Sequence, residues 1–344
     1  MTPEGDFSAA SSWKSFDLDD TVQVIGAVYD GRYVYFCNSI MGASTSVLRY
    51  DTEGDFDSAD YWVDFNITDE VNSNFVAYGG VTFDGQNIYF VPFGDPKGTG
   101  LHGKVLKFNI NNDLTDVDSW NYFDAEAEVD SDAKGFSGGV FDGQYIYFIP
   151  ALYGKFLRYD TEGAFDDTGS WVVSDVATAD LDETGYTRGV FDSKYIYFTP
   201  TYENFGSGYH GRFLRYDTES DFIAESSWTS FDAEAELDSD LIMYRGAAFD
   251  GKYTYFFPFD NGSILRHDTE GAFTSADSWT VFDATGLTDG IGSMGWYGAS
   301  FDGQNIYLSV YQYSSSEDLS GKILKFNAKS PSKVPDTVYG GSFF

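Results

Sequence analysis

The amino-acid sequence predicts an all-β fold, because one hairpin-like segment recurs six times along its 344 residues. The clearest copy is Phe141–Phe148, in which Asp142-Gly143 separates an apolar strand from Tyr-Ile-Tyr-Phe. Asp-Gly between two apolar runs is the preferred pair for a two-residue hairpin turn, since glycine accepts positive φ freely. The fourth copy has Ser193 in place of this glycine, so a turn that is slightly strained or differently closed is expected there. Copies about 50 to 58 residues apart are typical of a propeller blade or a similar stacked unit; they begin at Tyr29, Phe83, Phe141, Phe191, Phe249 and Phe301.

Two further segments follow each hairpin and predict a third and a fourth strand. The third strand is typified by Leu157–Asp160, and the fourth begins with a tryptophan such as Trp171. The chain starts inside a unit, with Trp13 in the fourth-strand position, and the last unit stops after its third strand at Lys325–Asn327. The first strand therefore completes the last unit. The predicted fold is a closed six-bladed β-propeller of four-stranded antiparallel blades over residues 1–329, since closure leaves few strand edges exposed.

The two ends of the chain carry further signals, and only the C-terminal one lies outside this scheme. Residues 330–344 contain two prolines and no repeat, and we expect them to dock on the last blade or to lead to another module. The N-terminus has no basic segment followed by an apolar stretch, so no signal peptide is expected in this sequence.

The unit resembles the kelch class of propeller repeat. In a kelch unit, a hydrophobic strand, a turn like Asp-Gly and a strand like Tyr-Ile-Tyr-Phe are followed by a Tyr-Asp pair and a downstream tryptophan. Tyr159-Asp160 with Trp171, and Tyr216-Asp217 with Trp228, occupy those positions here. The resemblance covers nearly the whole chain, although the glycine doublets precede the first strand and the Tyr-to-Trp spacing is longer. It implies a propeller that acts as a protein-binding module or, more rarely, as an enzyme scaffold.

Charge excludes some classes of partner. The formal net charge is −35 and the pI is about 4.1, so the chain repels phosphate backbones and anionic membrane surfaces. Nucleic acid is therefore not expected as a partner, and no apolar run is long enough for membrane insertion. The single cysteine, Cys37, cannot form an internal disulfide and is expected to be a buried hydrophobic side chain.

The loops between second and third strands and the blade-to-blade crossovers are predicted to share one face of the propeller. Blades 2 and 4 each carry a loop histidine there, His102 and His210, and an acidic crossover. Clustered carboxylates suit Ca²⁺, so calcium is a possible cofactor. The alternative is that an acidic protein has acidic loops, and no segment has the Asp-x-Asp-x-Asp-Gly spacing of a calcium loop. The metal candidates are Glu128, Asp130, Asp132, Glu236, Asp238 and Asp240.

Two arginines, Arg188 and Arg245, precede the predicted innermost strands of blades 4 and 5. They are expected to line the mouth of the central channel and to meet an anionic group, or else to pair with the acidic crossovers. A basic residue also recurs in every third strand, as at Arg158, and is predicted to form a blade-to-blade ion pair with a repeat aspartate.

Aromatic residues outside the repeat positions complete the candidate site. They are predicted to lie in long loops and at a crossover, all on the same face. Aromatic rings beside polar groups suit sugar rings, whose apolar faces stack while their hydroxyls form hydrogen bonds. These candidates are Tyr202, Tyr209, Trp296, Tyr297, Tyr311 and Tyr313.

The leading hypothesis is a non-catalytic module that presents an acidic, aromatic face to a glycan or a protein, outside the cell or at the cell surface. One alternative is a divalent-cation-dependent hydrolase or lyase with its site at the channel mouth. Another is a structural unit of a surface assembly or fibre. Composition and motifs leave the oligomeric state and the identity of the ligand open.

Overall fold

The computed structural model describes residues 24–40, 44–94, 100–151, 155–174, 185–203, 208–259, 261–284, 295–301, 305–311 and 323–328. These residues form five four-stranded antiparallel sheets, one three-stranded sheet and one two-stranded hairpin. The predicted β-propeller fold is confirmed. The strand predicted around Trp13, which would close the ring and settle the count of six blades, lies outside the described residues.

Each blade is an antiparallel meander whose strands follow one another in chain order. Blade 1 contains β1 (Val24–Tyr29), β2 (Tyr33–Ile40), β3 (Ser44–Asp51) and β4 (Trp62–Asn66). Blade 2 contains β5 (Tyr78–Phe83), β6 (Asn87–Pro92), β7 (Lys104–Asn109) and β8 (Trp120–Asp124). Blade 3 contains β9 (Phe136–Phe141), β10 (Tyr145–Pro150), β11 (Phe156–Asp160) and β12 (Trp171–Ser174).

The later blades follow the same order. Blade 4 contains β13 (Tyr186–Phe191), β14 (Tyr195–Pro200), β17 (Arg212–Asp217) and β18 (Trp228–Asp232), with the hairpin β15 (Tyr202–Glu203) and β16 (Gly208–Tyr209) between its second and third strands. Blade 5 contains β19 (Tyr244–Phe249), β20 (Tyr253–Pro258), β21 (Ser263–Asp268) and β22 (Trp279–Asp283). Blade 6 contains β23 (Gly295–Phe301), β24 (Asn305–Tyr311) and β25 (Ile323–Asn327).

The first strand of each blade is the innermost one. β1 contacts β5, β5 contacts β9, and the contacts continue through β13 and β19 to β23. Three one-turn helices, α1 (Ile67–Glu70), α2 (Ala125–Glu128) and α3 (Ala233–Glu236), follow the outermost strands of blades 1, 2 and 4. No helix in the described ranges is long and apolar enough to cross a membrane.

The recurrent Asp-Gly turn is held by its own aspartate. In blade 3, Asp142 Oδ1 accepts hydrogen bonds from the backbone N–H groups of Gln144 and Tyr145, at 2.9 and 2.7 Å. Its other carboxylate oxygen accepts the hydroxyl of Tyr147 at 2.7 Å. Gly143 has a φ of 110°, as the turn requires, and Ser193 adopts a φ of 86° at the same position of blade 4. The strain predicted for that turn is therefore present, since side chains disfavour this region.

Aromatic rings fill the spaces between blades. Trp171 of blade 3 stacks on Phe123 of blade 2, with ring centroids 4.5 Å apart, and its indole N–H donates to the carbonyl of Phe165 at 3.0 Å. Cys37 is buried in the core, as predicted. Most of the aromatic content is therefore structural, because each blade supplies rings that cover the face of the next.

The repeated basic residue of the third strand contacts rings of two blades. The guanidinium carbon of Arg158 lies 4.3 Å from the ring centroid of Tyr145 and 4.8 Å from that of Phe222 in the next blade. Arg215 does the same with Tyr195 and Phe273, at 4.1 and 4.6 Å. The blade-to-blade role predicted for these residues is supported, but the contacts are of the cation–π type instead of the expected ion pair with an aspartate.

Candidate ligand site at one end of the propeller

The two loop histidines lie inside their blades. His102 and His210 have side chains that are only 8 % and 2 % exposed. Nδ1 of His102 accepts the backbone N–H of Lys104 at 3.2 Å, so Nε2 carries the proton and donates to the carbonyl of Val76 at 2.8 Å. Burial lowers the pKa of His102. The prediction that both histidines open onto the loop face is wrong, because each ring packs edge-on against the first tyrosine of an inner strand, Tyr78 and Tyr186.

The glycine after each histidine explains this placement. A Cβ atom on Gly103 would lie 2.3 Å from the carbonyl oxygen of Ala133, and one on Gly211 would lie 2.1 Å from that of Leu241. Both contacts join the loop to the crossover that follows α2 or α3. The His-Gly pair shared by blades 2 and 4 is therefore a packing feature, which lets the crossover lie against the loop.

The acidic crossovers have local structural roles. Asp124 and Asp232 cap α2 and α3 by accepting the backbone N–H groups of Ala127 and Ala235, at 3.3 and 3.0 Å. Side-chain oxygens at this position satisfy N–H groups that the first helical turn leaves unpaired. The acidic character of these segments is thus explained in part by helix capping.

The carboxylates predicted to bind metal are held in the same way. Asp130 and Asp238 accept the backbone N–H groups two residues later, of Asp132 and Asp240, at 2.9 and 3.0 Å. Asp130 also pairs with Lys155 at 2.9 Å, and these hydrogen bonds hold the pKa of its carboxyl below the usual range. The other predicted ligands, Glu128 and Glu236, are exposed at the ends of α2 and α3.

The structure does not bring these six carboxylates together. In blade 2 one of them ends α2 and two follow it, and in blade 4 one ends α3 and two follow it. Within the described part of the chain, no group of three or more His, Cys, Asp or Glu side chains is arranged to hold a metal ion. The calcium site stays a prediction that the geometry of these crossovers does not favour.

The inner strands instead share a β-bulge near their first residues. The register shifts between Tyr186 and Gly189 in blade 4, between Tyr244 and Gly246 in blade 5, and between Trp296 and Gly298 in blade 6. A bulge redirects side chains and often lies next to a functional site. The residues in these three bulges form what we call the rim: Thr187, Arg188, Arg245 and Tyr297.

The rim differs from the equivalent positions of blades 1 to 3. Five residues before the turn aspartate, blades 4, 5 and 6 have Thr187, Arg245 and Tyr297. At the same position blades 1, 2 and 3 have smaller or apolar residues: Ile25, Gly79 and Ser137. One position later, Arg188 stands where every other blade has glycine: Gly26, Gly80, Gly138, Gly246 and Gly298. Both arginines lie within their inner strands, and the prediction that they precede these strands is corrected.

Blade 4 accommodates Arg188 through a hydroxyl group. The backbone N–H of Arg188 donates to Thr199 Oγ1 at 3.1 Å, and the same hydroxyl donates to the carbonyl of Arg188 at 3.2 Å. The position of Thr199 is apolar in the other four-stranded blades: Cys37, Val91, Ile149 and Phe257. Thr199 therefore replaces the strand pairing that the wider bulge removes.

A buried polar network fixes the Arg188 side chain. Its Nη1 donates to the carbonyl of Ser137 in blade 3 at 2.5 Å, and Ser137 Oγ donates to the carbonyl of Thr187 at 2.9 Å. Thr187 and Thr201 share a hydroxyl contact of 2.8 Å, and Thr201 Oγ1 donates to the carbonyl of Tyr244 in blade 5 at 2.6 Å. The network spans three blades beside the rim.

Arg245 is held by a ring. Its guanidinium carbon lies 4.0 Å from the ring centroid of Phe259, which follows β20, and its side chain is half-buried. A guanidinium stacked on an aromatic face keeps its edge available for planar hydrogen bonding. The two arginines thus occupy fixed positions on consecutive inner strands.

The structure places most of the predicted aromatic residues at the same end of blades 4 and 6. Tyr202 and Tyr209 lie opposite each other in the β15–β16 hairpin, and Tyr209 is 41 % exposed. Trp296 and Tyr297 lie within β23, where a crossover was predicted, and Tyr311 is the last residue of β24, opposite Gly295, where a long loop was predicted. These two placements correct the strand boundaries. Tyr313 lies outside the described residues.

Sequence comparison assigns this chain to no family, since no family model and no curated protein matches it. Solved structures do match. PorZ, an essential surface component of the type-IX secretion system of Porphyromonas gingivalis, is 11% identical with a TM-score of 0.59 over 85% of this chain and 39% of PorZ. This chain thus spans well under half of PorZ. The β-propeller domain of Cps50 (Swd1) from Myceliophteria thermophila is 10% identical, with a TM-score of 0.53 over 89% of this chain and 84% of that one. Both are similar in fold, and neither identifies the chain as a kelch protein.

Proposed function

We propose that this chain is a non-catalytic binding module that holds a glycan at the rim. The proposal rests on one observation: at the bulge that the inner strands share, only blades 4, 5 and 6 carry large polar or aromatic residues, Arg188, Arg245 and Tyr297. Exposed Tyr209 belongs to the hairpin that follows β14 of blade 4, at the same end. Binding outside the cell or at the cell surface is part of the proposal, since glycans are accessible there.

The chemistry of the rim suits a sugar ring. Tyrosine and tryptophan offer flat apolar faces on which a pyranose can stack, and guanidinium groups donate to hydroxyl or carboxylate oxygens in fixed directions. The net charge of −35 opposes a polyanion. A neutral glycan, or one with a single acidic group, therefore fits the rim better than a polyuronide does.

The buried network favours binding through preorganisation. Arg188 is 8 % exposed and is tied to Ser137, Thr199 and, through Thr187, to Thr201. Ordering a flexible side chain on binding costs about 0.5–1.5 kcal/mol, and a side chain that is already ordered avoids this cost. A donor whose position is already fixed suits a small polar ligand.

The test begins with a glycan array on the full chain, followed by calorimetric titration of the best ligand. Arg245→Ser and Tyr297→Ser introduce the residue that blade 3 has at the equivalent position, Ser137, so the blade is expected to accept serine there. Each is expected to weaken binding at least tenfold, about 1.4 kcal/mol, with little change in melting temperature. The control is Tyr122→Ser, which removes an exposed tyrosine from the outer strand of blade 2.

Equal losses in the control and in the rim variants would contradict the proposal, as would unchanged affinity in both rim variants. Binding of peptides but of no glycan would favour a protein ligand at the same surface. The predicted alternatives, a cation-dependent hydrolase or lyase and a structural unit, gain no specific support from contacts among the described residues.

A further inference from the structure

The third strand of blade 2 has a lysine whose setting differs from that of its counterparts. In blades 1, 3, 4 and 5 the position holds an arginine that stacks on the tyrosine at the start of the second strand of its own blade. The guanidinium carbon lies 4.1–4.6 Å from the ring centroid in these pairs: Arg49–Tyr33, Arg158–Tyr145, Arg215–Tyr195 and Arg266–Tyr253. Blade 2 has Lys107 instead, with Asn87 in place of the tyrosine. The ring that covers the cation in four blades is therefore replaced by a smaller side chain.

The amide of Asn87 does not take over the role of that ring. Its nitrogen donates to Asp84 Oδ2 at 3.0 Å, and its oxygen accepts a side-chain N–H of Asn109 at 3.1 Å. The ammonium of Lys107 lies 4.2 Å from the ring centroid of Phe165 in blade 3. It has no ion pair or hydrogen bond with any residue that the structure describes. Lys107 is thus held by one ring alone.

Every other lysine whose side chain the structure describes forms an ion pair. The pairs have N–O distances of 2.6–3.5 Å: Lys104–Asp124, Lys134–Glu126, Lys155–Asp130, Lys194–Glu219 and Lys252–Glu270. An adjacent carboxylate favours the protonated amine. Lys107 is half-buried instead, and burial lowers its pKa, although Asp84 and Asp166 oppose this effect. More of its amine is therefore in the neutral, nucleophilic form at neutral pH.

We propose that Lys107 is a modification site that forms a Schiff base with a small aldehyde. The deprotonated amine attacks the carbonyl carbon, and a C=N bond replaces the C=O bond. The carbonyl oxygen leaves as water with two of the three protons of the original ammonium, and the third proton stays on the nitrogen. The product is a protonated imine, which has the same positive charge as the lysine.

The surroundings of Lys107 suit a product that remains a cation. The face of Phe165 attracts positive charge, and the carboxylates of Asp84 and Asp166 favour it as well. An acyl donor would leave a neutral amide and forfeit these interactions, whereas a protonated imine keeps them. An aldehyde is therefore a better match to the site than an acyl donor.

The site lies toward the end of the propeller opposite the rim. Asp84 belongs to the turn between β5 and β6, and Phe165 lies between β11 and β12. Both connections are at the end of the meander away from the bulges of the inner strands. Lys107 is thus separate from the rim, and its reactivity can be measured without a glycan.

Reductive methylation of the full chain tests the proposal. A limiting amount of formaldehyde with sodium cyanoborohydride at pH 7 converts each Schiff base into a methylated lysine, which peptide mass spectrometry quantifies. The reference is Lys194, whose pKa is raised by Tyr195 and Glu219. Lys107 is expected to be methylated at least about tenfold faster, since a difference of one in pKa changes the neutral fraction about tenfold.

Two variants provide matched controls. Asn87→Tyr gives blade 2 the residue that four other blades have at this position, so the blade is expected to accept it. The added ring would cover the ammonium, and methylation of Lys107 should slow by about fivefold or more, with Lys194 unchanged. Lys107→Arg introduces the arginine of the same four blades and removes the amine, which confirms the peptide assignment. Melting temperatures of both variants check that the fold is kept.

The rates decide between three outcomes. Faster methylation of Lys107 in the parent chain, slowed in Asn87→Tyr, supports the proposal. A rate at Lys107 no higher than that at Lys194, or a rate unchanged in Asn87→Tyr, overturns it. The same ratio of rates in urea-unfolded chain also overturns it, because the local sequence and not the folded site would then set the reactivity.

Discussion

The imidazole of His267 lies against the indole of Trp279, with ring centroids 4.7 Å apart. Three other blades have a tyrosine at this position, and its hydroxyl donates to a backbone carbonyl four residues later, as Tyr216 does to Ser220 at 2.8 Å. His267 is fully buried, and neither ring nitrogen has a hydrogen-bond partner among the described residues. Blade 5 therefore contains an unsatisfied polar side chain where the repeat has a satisfied one.

His267→Tyr is expected to stabilise the protein. The new hydroxyl would reach the carbonyl of Gly271, the counterpart of Ser220, and the unsatisfied nitrogens would be removed, for a gain of about 1–2 kcal/mol in the free energy of unfolding at pH 7. Urea denaturation measures this gain. The reciprocal control is Tyr216→His in blade 4, which should cost a similar amount. A destabilised His267→Tyr variant would show that the site cannot accept the larger ring.

The same variant is expected to change the response to acid. Burial, reinforced by Arg215 and opposed by Asp268, lowers the pKa of His267 to about 4. Because this lies below the ordinary value, the unfolded chain binds the proton first as the pH falls. The contribution of neutral His267 to the free energy of unfolding is fully present above about pH 6.5. It is lost between about pH 6.5 and 4, by on the order of 3 kcal/mol. The difference in unfolding free energy between His267→Tyr and the parent chain should therefore widen at pH 5. A constant difference would contradict a lowered pKa of His267 in the folded protein.

The Tyr–Asp pair at the hairpin turn makes a second stability prediction. The carboxylate of Asp142 accepts three hydrogen bonds, from two backbone N–H groups and from Tyr147. Tyr147→Phe removes one of them and should cost about 2 kcal/mol, while Asp142→Ala removes all three and should cost more. Urea denaturation of both variants and of the double variant provides the check. The double variant should lose less than the sum, because the two changes share one bond.

The His-Gly pair makes a third stability prediction. Gly103→Ala places a Cβ atom 2.3 Å from the carbonyl of Ala133, so backbone must shift, at a cost of about 3 kcal/mol. Gly169→Ala is the control, since its nearest atom would be Asp167 Oδ1 at 3.4 Å, an ordinary contact. Thermal unfolding of the two variants should separate them clearly. Equal melting temperatures would mean that the backbone of the crossover after α2 shifts at little cost in free energy.

The fold could be predicted from sequence because each blade repeats the same local sequence features. The turn aspartate, the tryptophan that starts the outer strand and the alternation of rings act within a blade or between neighbours. Strand ends were less predictable: Trp296 and Tyr311 lie in strands because pairing continues past the apolar run that marks the strand in sequence.

The site was predicted only in part, for a physical reason. The burial of His102 depends on the approach of Gly103 to Ala133, a contact between distant segments that no local pattern encodes. The network of Ser137, Thr187, Thr199 and Thr201 was missed as well. One signal was available, since alignment of the six units shows Arg188 in a column of glycines.

The last prediction concerns salt. The net charge of −35 makes the folded state repel itself, and raising NaCl from about 0.01 to 0.15 M shortens the Debye length from about 30 to 8 Å. The melting temperature should therefore rise with NaCl. CaCl₂ at equal ionic strength separates screening from binding. A larger rise in melting temperature with CaCl₂ than with NaCl would support the calcium site predicted at the crossover, provided that Asp130→Asn abolishes the extra rise and the exposed control Glu162→Gln does not. Equal rises are expected instead, because Asp130 is already held by Lys155 and by the backbone N–H of Asp132.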